Sequence, residues 1–351
     1  MRSKNIKKTI MKTLCTTLCI AMTVSFMGCS SNNKSTNTNS VSTENSSTKE
    51  NKNSSYPVTI KNYNVNNEEI EITFDKAPER VLTTNQTTTE LMLDLGLEDK
   101  LIGTCYLDNP ISEKVKDKYA KIPVVSEKYP TKEQVLSLNP DFIFGWKSVF
   151  ADKTLGDVSE WIGRGTNTFA QRNTVKSVGN YTVENLFKDI DDLGTIFNIK
   201  DKTDKYIQDN KDRLTKIEEK TNSIDKKKTT LILESEEKGD FRLYGKNDLV
   251  SDMALKAGLE NLGEESGTVS LENIVSLNPD TILLIHDGDG KDIHDPEIAK
   301  IFTSNEALKN VTAVKNNAIV VTGLAETWAG GIRVVDAIER YSKELYPELY
   351  K

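Results

Sequence analysis

The pentapeptide Ser-Leu-Asn-Pro-Asp occurs twice in this chain, at residues 137–141 and 276–280. In both places it follows a short amphipathic segment and precedes an apolar run. Proline disfavours helical backbone in the residue before it, so each copy predicts that a helix ends and that the chain turns into a strand. The repeat therefore predicts two related lobes, each built around the same helix-to-strand connection.

Residues suited to capping a helix precede both copies of the pentapeptide. Thr131 and Ser270 are good N-cap residues, and Gln134 completes a capping-box pattern with Thr131. Glu133 and Glu272 each follow the cap by two positions, where an exposed carboxylate complements the helix dipole by about 0.3–1 kcal/mol. The residues expected to form the buried sides of the two helices are Val135, Leu136, Leu138, Ile274, Val275 and Leu277.

Strand and helix patterns alternate on both sides of a long helical segment. After a β-hairpin predicted at 58–74, apolar strand segments alternate with helices, a pattern typical of parallel sheets in α/β proteins. Residues 181–224 lack proline and predict one long helix, with a break near Asn198 as the alternative. We therefore predict an N-terminal lobe over 57–180, an interlobe helix over 181–224 and a C-terminal lobe over 225–351.

The N-terminus has the layout of an export signal. Residues 1–28 combine a basic start with an apolar stretch that ends before Cys29. The tetrad Phe-Met-Gly-Cys at this point resembles a lipobox, although its first two residues depart from the usual pattern, and it predicts that Cys29 is lipidated, with palmitate among its acyl chains. Residues 30–55 contain no aromatic side chain, so 29–56 is predicted to be a flexible tether. We expect an exported lipoprotein anchored to the outer face of the cell membrane.

The composition disfavours several classes of protein. A net charge of -7 offers no basic face for nucleic acid. The two histidines, His286 and His294, lack the spacing of metal ligands, and no set of nucleophile, base and orienting residue predicts an enzyme. Once the cysteines up to Cys29 are assigned to the signal and the lipid anchor, Cys105 stands alone, so no intramolecular disulfide is expected.

Four segments, taken together in their order and spacing, resemble a known family. They are APERVLTTNQTTTELMLDLGLEDKLIG from residue 77, YPTKEQVLSLNPDFIFGW from 129, VSLENIVSLNPDTILLI from 269 and ETWAGGIRVVDAIERYSKELYPELY from 326. The set is similar to solute-binding proteins of the ferric-siderophore and cobalamin class, which serve ATP-binding cassette importers. The resemblance implies an α/β fold of two Rossmann-like lobes joined by a single long helix, with a ligand cleft between the lobes and only small closure.

The same resemblance implies the partners of the chain. A permease and its ATPase would receive the ligand, and the binding protein would be a monomer with no resident cofactor and no enzymatic activity. Glu133 and Glu272 occupy the positions at which such proteins pair with arginines of the permease. Complementarity to the helix dipole is the alternative explanation for both glutamates.

The resemblance also carries over a set of ligand contacts. Aromatic rings would hold a large flat ligand, and cations would meet an anionic one. A core position for each aromatic residue and a solvated surface charge for each arginine are the alternatives. The expected contacts are Asn85, Gln86, Tyr106, Trp146 and Lys147 in the first lobe, Arg172 near the crossover, and Arg242, Tyr244, Trp328 and Arg333 in the second lobe.

The expected ligand is a ferric siderophore. Arg164 and Arg172 lie near the predicted crossover and suit an anionic ferric chelate, whereas 124–130 has no Trp of the kind that some cobalamin binders carry. Cobalamin or another corrinoid remains an alternative, as does haem, which would need an axial ligand such as Tyr106 or Tyr244. A cell-surface enzyme or an adhesin is the alternative from another class.

Overall fold

A computed structural model describes residues 55–235, 241–287 and 292–351. The predicted export signal, the lipidation site at Cys29 and nearly all of the predicted tether lie outside these residues. Across the described ranges, no helix is both long and apolar enough to cross a membrane.

The N-terminal lobe contains a β-hairpin and a parallel sheet. In the hairpin, β1 (Val58–Tyr63) pairs antiparallel with β2 (Glu69–Phe74), as predicted. The strands of the sheet are β3 (Val81–Thr83), β4 (Leu101–Cys105), β5 (Val124–Ser126), β6 (Phe142–Gly145) and β7 (Asn167–Ala170). Their order is β5-β4-β3-β6-β7, and every neighbouring pair is parallel.

The C-terminal lobe contains a mixed sheet. Its strands are β8 (Lys228–Ser235), β9 (Phe241–Leu243), β10 (Leu259–Asn261), β11 (Gly267–Val269), β12 (Thr281–His286) and β13 (Ile319–Gly323). The order is β11-β9-β8-β12-β13, with β10 also pairing with β8. The pairs of β8 with β10 and β12, and of β12 with β13, are parallel, whereas β9 and β11 add antiparallel strands that the alternating pattern did not predict.

Helices connect the strands in the same order in both lobes. They are α1 (Gln86–Asp94), α2 (Lys116–Tyr119), α3 (Lys132–Leu138), α4 (Val158–Ile162), α5 (Val183–Ile196), α6 (Lys200–Thr221), α7 (Leu249–Lys256), α8 (Leu271–Leu277), α9 (Lys300–Thr303), α10 (Thr312–Lys315), α11 (Leu324–Thr327) and α12 (Val334–Leu345). The series β3, α1, β4, α3, β6 in the first lobe has the counterpart β8, α7, β10, α8, β12 in the second. The predicted duplication of the lobe is confirmed.

The two copies of the pentapeptide form the same connection. One joins α3 to β6, and the other joins α8 to β12. The helices end at Asn139 and Asn278, whose φ angles of 48° and 42° lie in the left-handed region. Asparagine tolerates this conformation better than most residues because its short polar side chain can hydrogen-bond locally. The asparagine and the proline after it therefore both stop the helix.

The aspartate of each copy fastens the connection to the first strand of its sheet. Asp141 accepts hydrogen bonds from the backbone N–H of Arg80 (2.8 Å) and of Glu79 (2.9 Å), just before β3. Asp280 accepts bonds from the backbone N–H and the hydroxyl of Thr229, both at 2.9 Å, near the start of β8. The repeated sequence thus ends a helix and anchors a neighbouring strand in each lobe.

We expect Asp280→Ala to lower the free energy of unfolding by about 1.5–3 kcal/mol, because two donors of Thr229 lose a charged acceptor. Chemical unfolding of the full-length protein measures the change. Asp152→Ala is the matched control, since Asp152 is exposed and makes no hydrogen bond or ion pair with any residue that the structure describes. Equal stability of the two variants would contradict the anchoring role.

The helices before the pentapeptide bury less than predicted. Val135 and Ile274 are fully buried, but Leu136, Val275 and Leu277 are 40%, 42% and 43% exposed. Each helix has only seven residues, about two turns, so few of its side chains can face the sheet. Apolar side chains consequently lie on the outer faces of α3 and α8.

The predicted interlobe helix over 181–224 is two helices. Residues 197–199 separate α5 from α6, and Asn198 has a φ of 54° there, which is the break that the alternative prediction allowed. Lys211 on α6 pairs with Glu184 near the start of α5, so the two helices pack antiparallel. This arrangement buries the strongly apolar face of α5 against the protein and leaves the charged α6 outside.

Both helices run from one lobe to the other. At the start of α5, the backbone N–H of Val183 donates to Asp252 on α7 at 2.8 Å, whereas Asp189 further along α5 pairs with Arg172 of the N-terminal lobe. Near the start of α6, Lys202 Nζ donates to the carbonyl of Leu95 in the N-terminal lobe at 2.7 Å. Further along, Arg213 pairs with Asp336 and Glu339 of α12 in the C-terminal lobe. Its 22 residues span about 33 Å at the rise of an α-helix.

One apolar core is shared by the two lobes. It extends from Ile60 in the hairpin through Leu186 on α5 and Ile217 on α6 to Ile338 on α12. Close-packed interiors resist deformation, because a shift of one element strains its neighbours. A continuous core of this kind favours small movements of the lobes.

Candidate functional site

The carboxyl ends of strands from the two sheets meet between the lobes. Tyr106 follows β4 and Trp146 follows β6, while Glu234 lies near the end of β8 and Trp328 follows α11. Ligands of α/β proteins bind at the carboxyl ends of parallel strands. We call the region bounded by these four residues the interlobe cleft.

Aromatic rings from both lobes form a continuous cluster in the cleft. The ring of Tyr106 lies 4.8 Å from that of Tyr129 and 5.7 Å from that of Trp146. Trp146 lies 6.3 Å from Trp328 across the cleft, and Trp328 lies 6.5 Å from Tyr244. Aromatic pairs at these separations attract one another beyond the burial of their area. The structure thus brings four of the predicted ligand contacts together, and Tyr129 joins them.

Arg242 places a positive charge over this cluster. Its guanidinium carbon lies 4.7 Å from the centre of the Tyr244 ring and 5.0 Å from that of Trp328, distances typical of cation–π contacts. The guanidinium also lies 3.6 Å from Glu234, which accepts a hydrogen bond from the Tyr244 hydroxyl at 2.5 Å. Burial raises the pKa of Tyr244, so this hydroxyl keeps its proton at neutral pH.

Two strained backbone positions lie at the cleft. Tyr106 has a φ of 57° and Ala329 a φ of 61°, and such left-handed residues cost about 1–3 kcal/mol each unless the surroundings hold them. Side chains of the N-terminal lobe hold the second one: Asn173 donates to the carbonyl of Ala329 at 3.2 Å, and Gln171 donates to that of Gly330 at 2.8 Å. Strain of this kind is concentrated at functional sites, which fits a binding role for the cleft.

Asn85 and Gln86 are fully buried, and their side chains bond to the backbone of α1 and of the loop after β4. Asn85 caps α1 by accepting a hydrogen bond from the backbone N–H of Thr88 at 3.0 Å. Gln86 accepts bonds from the backbone N–H groups of Asp108 and Asn109, both at 2.9 Å. These two residues were predicted to contact the ligand, but the structure uses Gln86 to hold the loop after β4.

Arg333 joins the two lobes. Its Nε donates to Glu90 at 2.8 Å, a second guanidinium nitrogen contacts the same carboxylate, and the carbonyl of Pro110 accepts a further bond at 2.7 Å. The side chain of Glu90 is 1% exposed, so the pair is buried at its acidic end. A buried carboxylate needs its cation, and the predicted ligand contact at Arg333 is instead an interlobe ion pair.

Lys147 contacts the hairpin rather than the aromatic cluster. Its Nζ donates at 2.7 Å to the side chain of Asn67, in the turn between β1 and β2. Burial lowers the pKa of Lys147. The predicted ligand contact at Lys147 therefore fixes the hairpin on the first lobe.

Arg172 was predicted to meet an anionic ligand near the crossover between the lobes. Residues 167–170 form the edge strand β7, and the guanidinium of Arg172 pairs with Asp189 and Asp192 on α5, both at 2.6 Å. Asp189 is fully buried, and burial raises its pKa while Arg172 opposes that shift. Because the guanidinium of Arg172 is already paired with two carboxylates of α5, it offers no unpaired positive charge to an anionic ligand.

Three residues of the cleft were absent from the predicted contacts. Asp108 follows Tyr106 by two positions at the end of β4 and is 7% exposed. Tyr129 and Lys128 precede the helix cap Thr131, and Lys128 Nζ lies 4.6 Å from the centre of the Tyr106 ring. An aromatic and a cation directly before a capped helix were visible in the sequence, but only the fold shows that they lie beside Tyr106.

The predicted docking residues lie on the outer surface of the lobes. Glu133 and Glu272 are exposed in the first turns of α3 and α8, and no ion pair involves either of them within the described part of the chain. Leu136 and Val275, three residues later, share the faces of these glutamates. We call each glutamate with its apolar neighbour a docking patch.

The described residues contain one cysteine, Cys105. Cys105 is buried and free, and burial raises its pKa to about 12, which keeps the thiol protonated and unreactive. Among the residues that the structure describes, no group of three or more His, Cys, Asp or Glu side chains is arranged to hold a metal ion.

Comparison with known proteins agrees with this geometry. The family described as periplasmic binding protein matches residues 81–324, which include both sheets and the cleft. The chain belongs to this family. It is a solute-binding component of an ATP-binding cassette importer, and the two-lobed α/β fold is that of the family.

Three similar proteins illustrate the relationship. An uncharacterized ABC transporter substrate-binding lipoprotein of Bacillus subtilis, YvrC, is 24% identical over 84% of this chain and 88% of its own. The petrobactin-binding protein YclQ of the same organism is 23% identical over 72% of this chain and 77% of its own. A periplasmic binding protein of Veillonella parvula has a solved structure that is 30% identical, covers 84% of this chain and 93% of its own, and superposes with a TM-score of 0.75.

Proposed function

We propose that this periplasmic binding protein carries a ferric siderophore in the interlobe cleft and delivers it to a permease. The aromatic cluster that crosses the cleft from Tyr106 to Tyr244, with Arg242 above it, is the observation that carries the proposal. Such a surface suits a bulky chelate with flat, partly apolar faces. The relative named as a petrobactin-binding protein is in line with this ligand.

A corrinoid is the second candidate. Tyr129 lies within 4.8 Å of Tyr106, in the segment where the sequence lacks the Trp of some cobalamin binders. An aromatic ring is therefore present in this part of the cleft after all, although it belongs to tyrosine. This contact keeps cobalamin among the ligands to be tested.

Delivery of the ligand needs a membrane anchor and a docking surface. We propose that a lipidated Cys29 holds the protein at the membrane as a monomer, and that Glu133 and Glu272 bind arginines of the permease. One docking patch on each lobe would match a permease that presents two cationic sites. The docking role rests on the exposure of the two glutamates, and the anchor rests on the sequence around Cys29 and on the membership of the family.

The full-length protein in detergent is expected to show saturable quenching of tryptophan fluorescence with a ferric siderophore. Trp328→Leu should weaken this binding about tenfold or more, because the ring touches both Trp146 and Arg242. Tyr350→Leu, which changes an aromatic residue at the C-terminus, serves as the control. Failure of a ferric hydroxamate, a ferric catecholate, cyanocobalamin and haemin alike to bind would refute the proposed function.

A further inference from the structure

One buried carboxylate in the cleft has an oxygen without a donor. Asp108 is 7% exposed, and its Oδ2 is inaccessible and makes no hydrogen bond to any described residue. Most buried polar atoms in proteins are hydrogen-bonded, because an unpaired one costs about 1–3 kcal/mol. Because this oxygen is inaccessible here, the lobes must move apart for a ligand to enter the cleft and supply the missing donor.

Charges from both lobes act on this carboxylate. They belong to Lys128 in the first lobe and, in the second, to Glu234 near the end of β8 and Asp287 after β12. The next residue, Asn109, contacts the second lobe directly, since its Nδ2 donates to the carbonyl of His286 at 3.2 Å. Burial raises the pKa of Asp108 to about 6, while Lys128 lowers it and the two acids of the second lobe raise it further. Asp108 thus lies between the lobes, at an acidic end of the cleft.

A buried donor near the same cluster also lacks an acceptor. Trp146 is 8% exposed, and its Nε1 makes no hydrogen bond within the described ranges. Its ring contacts both Tyr106 and Trp328. A ligand lying against these rings would meet one unpaired acceptor and one unpaired donor.

Within the described ranges, the cations of the cleft do not outweigh its acids. Arg242 and Lys128 are the described positive groups beside the rings, whereas Asp108, Glu234 and Asp287 are acidic. The other predicted cations pair elsewhere, as described above. The anionic groups of a polyanionic chelate would be repelled by the acidic end of the cleft. They would also lose their hydration without each gaining a cation as partner.

We propose that Asp108 selects the ligand by accepting a hydrogen bond from an amide, hydroxyl or ammonium group, so that the cleft binds a neutral or cationic chelate and rejects polyanionic ones. The inference rests on the proposed function, since it names the class of ligand held in the same cleft. The aromatic cluster contacts the body of the ligand, and the carboxylate of Asp108 accepts a hydrogen bond from the donor group of the ligand. Neutral hydroxamate-type chelates and corrinoids share these properties, whereas catecholate chelates and haem, with its carboxylates, do not.

The test compares four probes on the full-length protein. Ferrioxamine B is a hydroxamate chelate with an ammonium group, cyanocobalamin offers amide donors, ferric enterobactin is polyanionic, and haemin carries carboxylates. We expect wild-type protein to bind ferrioxamine B or cyanocobalamin at least about tenfold more tightly than the two anionic probes. Asp108→Asn, which keeps the shape but removes the charge, should weaken the preferred probe about tenfold or more.

The pH dependence of ligand affinity gives a second readout. It is measured on the wild-type protein and therefore does not depend on the folding of the variant. Protonation turns the acceptor oxygen of Asp108 into a donor, so wild-type affinity for the preferred probe should fall as the pH drops through about 6. Asp108→Asn should lose this dependence, and Asp152→Asn, an exposed control, should retain it.

The outcomes separate this inference from the proposed function. Tighter binding of ferric enterobactin or haemin, or unchanged affinity and pH profile in Asp108→Asn, would overturn the role of Asp108 while leaving a ligand-binding cleft in place. Absence of binding by all four probes would instead overturn the proposed function itself.

Discussion

Glu133→Ala combined with Glu272→Ala is expected to reduce uptake of the bound chelate about tenfold or more, with ligand affinity unchanged. Each glutamate is exposed and makes no ion pair among the described residues, so its removal leaves the fold and the cleft intact. Charge-assisted bonds to arginine contribute about 1.5–3 kcal/mol each, and the variant would lose them on both lobes. Uptake by cells and fluorescence titration of the same protein measure the two properties separately.

The matched control removes one exposed glutamate from each lobe outside the docking patches. Glu71→Ala combined with Glu265→Ala changes the net charge by the same amount, since both residues are exposed. Uptake by this variant should equal that of the wild type. Loss of ligand affinity in the Glu133 and Glu272 variant, or full uptake by it, would show that these residues do not dock the permease.

Arg172→Met is expected to destabilise the protein by about 3 kcal/mol or more and to leave ligand affinity unchanged in the folded fraction. The substitution keeps an alkyl chain of similar length but removes the cation beside Asp189, which is fully buried. Breaking a buried ion pair by removing one partner leaves an uncompensated charge, which costs about 3–5 kcal/mol. Denaturant unfolding and chelate titration distinguish this role from ligand binding.

The loss should depend on pH in a defined direction. Without Arg172, burial raises the pKa of Asp189 further above its value in the unfolded chain, so the folded state binds the proton more tightly than the unfolded state. The destabilisation should therefore be greatest above neutral pH and should shrink as the pH falls. Arg172→Met combined with Asp189→Asn should recover part of the loss, because the buried charge is gone.

Arg164→Met is the control for this experiment. Arg164 is exposed, and its place near the predicted crossover makes it, like Arg172, a candidate cation for an anionic ligand. Its substitution should change stability by less than about 0.5 kcal/mol. A comparable loss in both variants, or a loss of ligand affinity in Arg172→Met alone, would contradict the structural role of the Arg172 pair.

The predicted ligand contacts that the structure brings together are the aromatic ones. Tyr106, Trp146, Tyr244 and Trp328 meet in the cleft as a chain of ring pairs that crosses from one lobe to the other. Most of the predicted cations bond to other protein groups outside the aromatic cluster, and Arg172 is the clearest example. A charged group pairs with whichever opposite charge the fold brings near it, and the partner of Arg172 lies 17 residues away on another element.

Local physical rules determined the scaffold from the sequence alone. Capping residues, the asparagine and proline of the repeated pentapeptide, and the alternation of apolar segments specify short helices and buried strands, and these rules act over a few residues. The duplication of the pentapeptide revealed two lobes, because the same local rules produce the same connection twice. The positions of Glu133 and Glu272 on exposed helix starts follow from the same rules.

Tertiary structure alone decided how those elements meet. It folded 181–224 into an antiparallel pair, which buries the apolar face of α5 and leaves the charged α6 on the outside. It also brought the loop of Asp108 against the second lobe, where Asn109 donates to the carbonyl of His286 and the charges of Glu234 and Asp287 act on Asp108. Burial and charge between such distant residues depend on three-dimensional distance, which spacing along the chain does not encode.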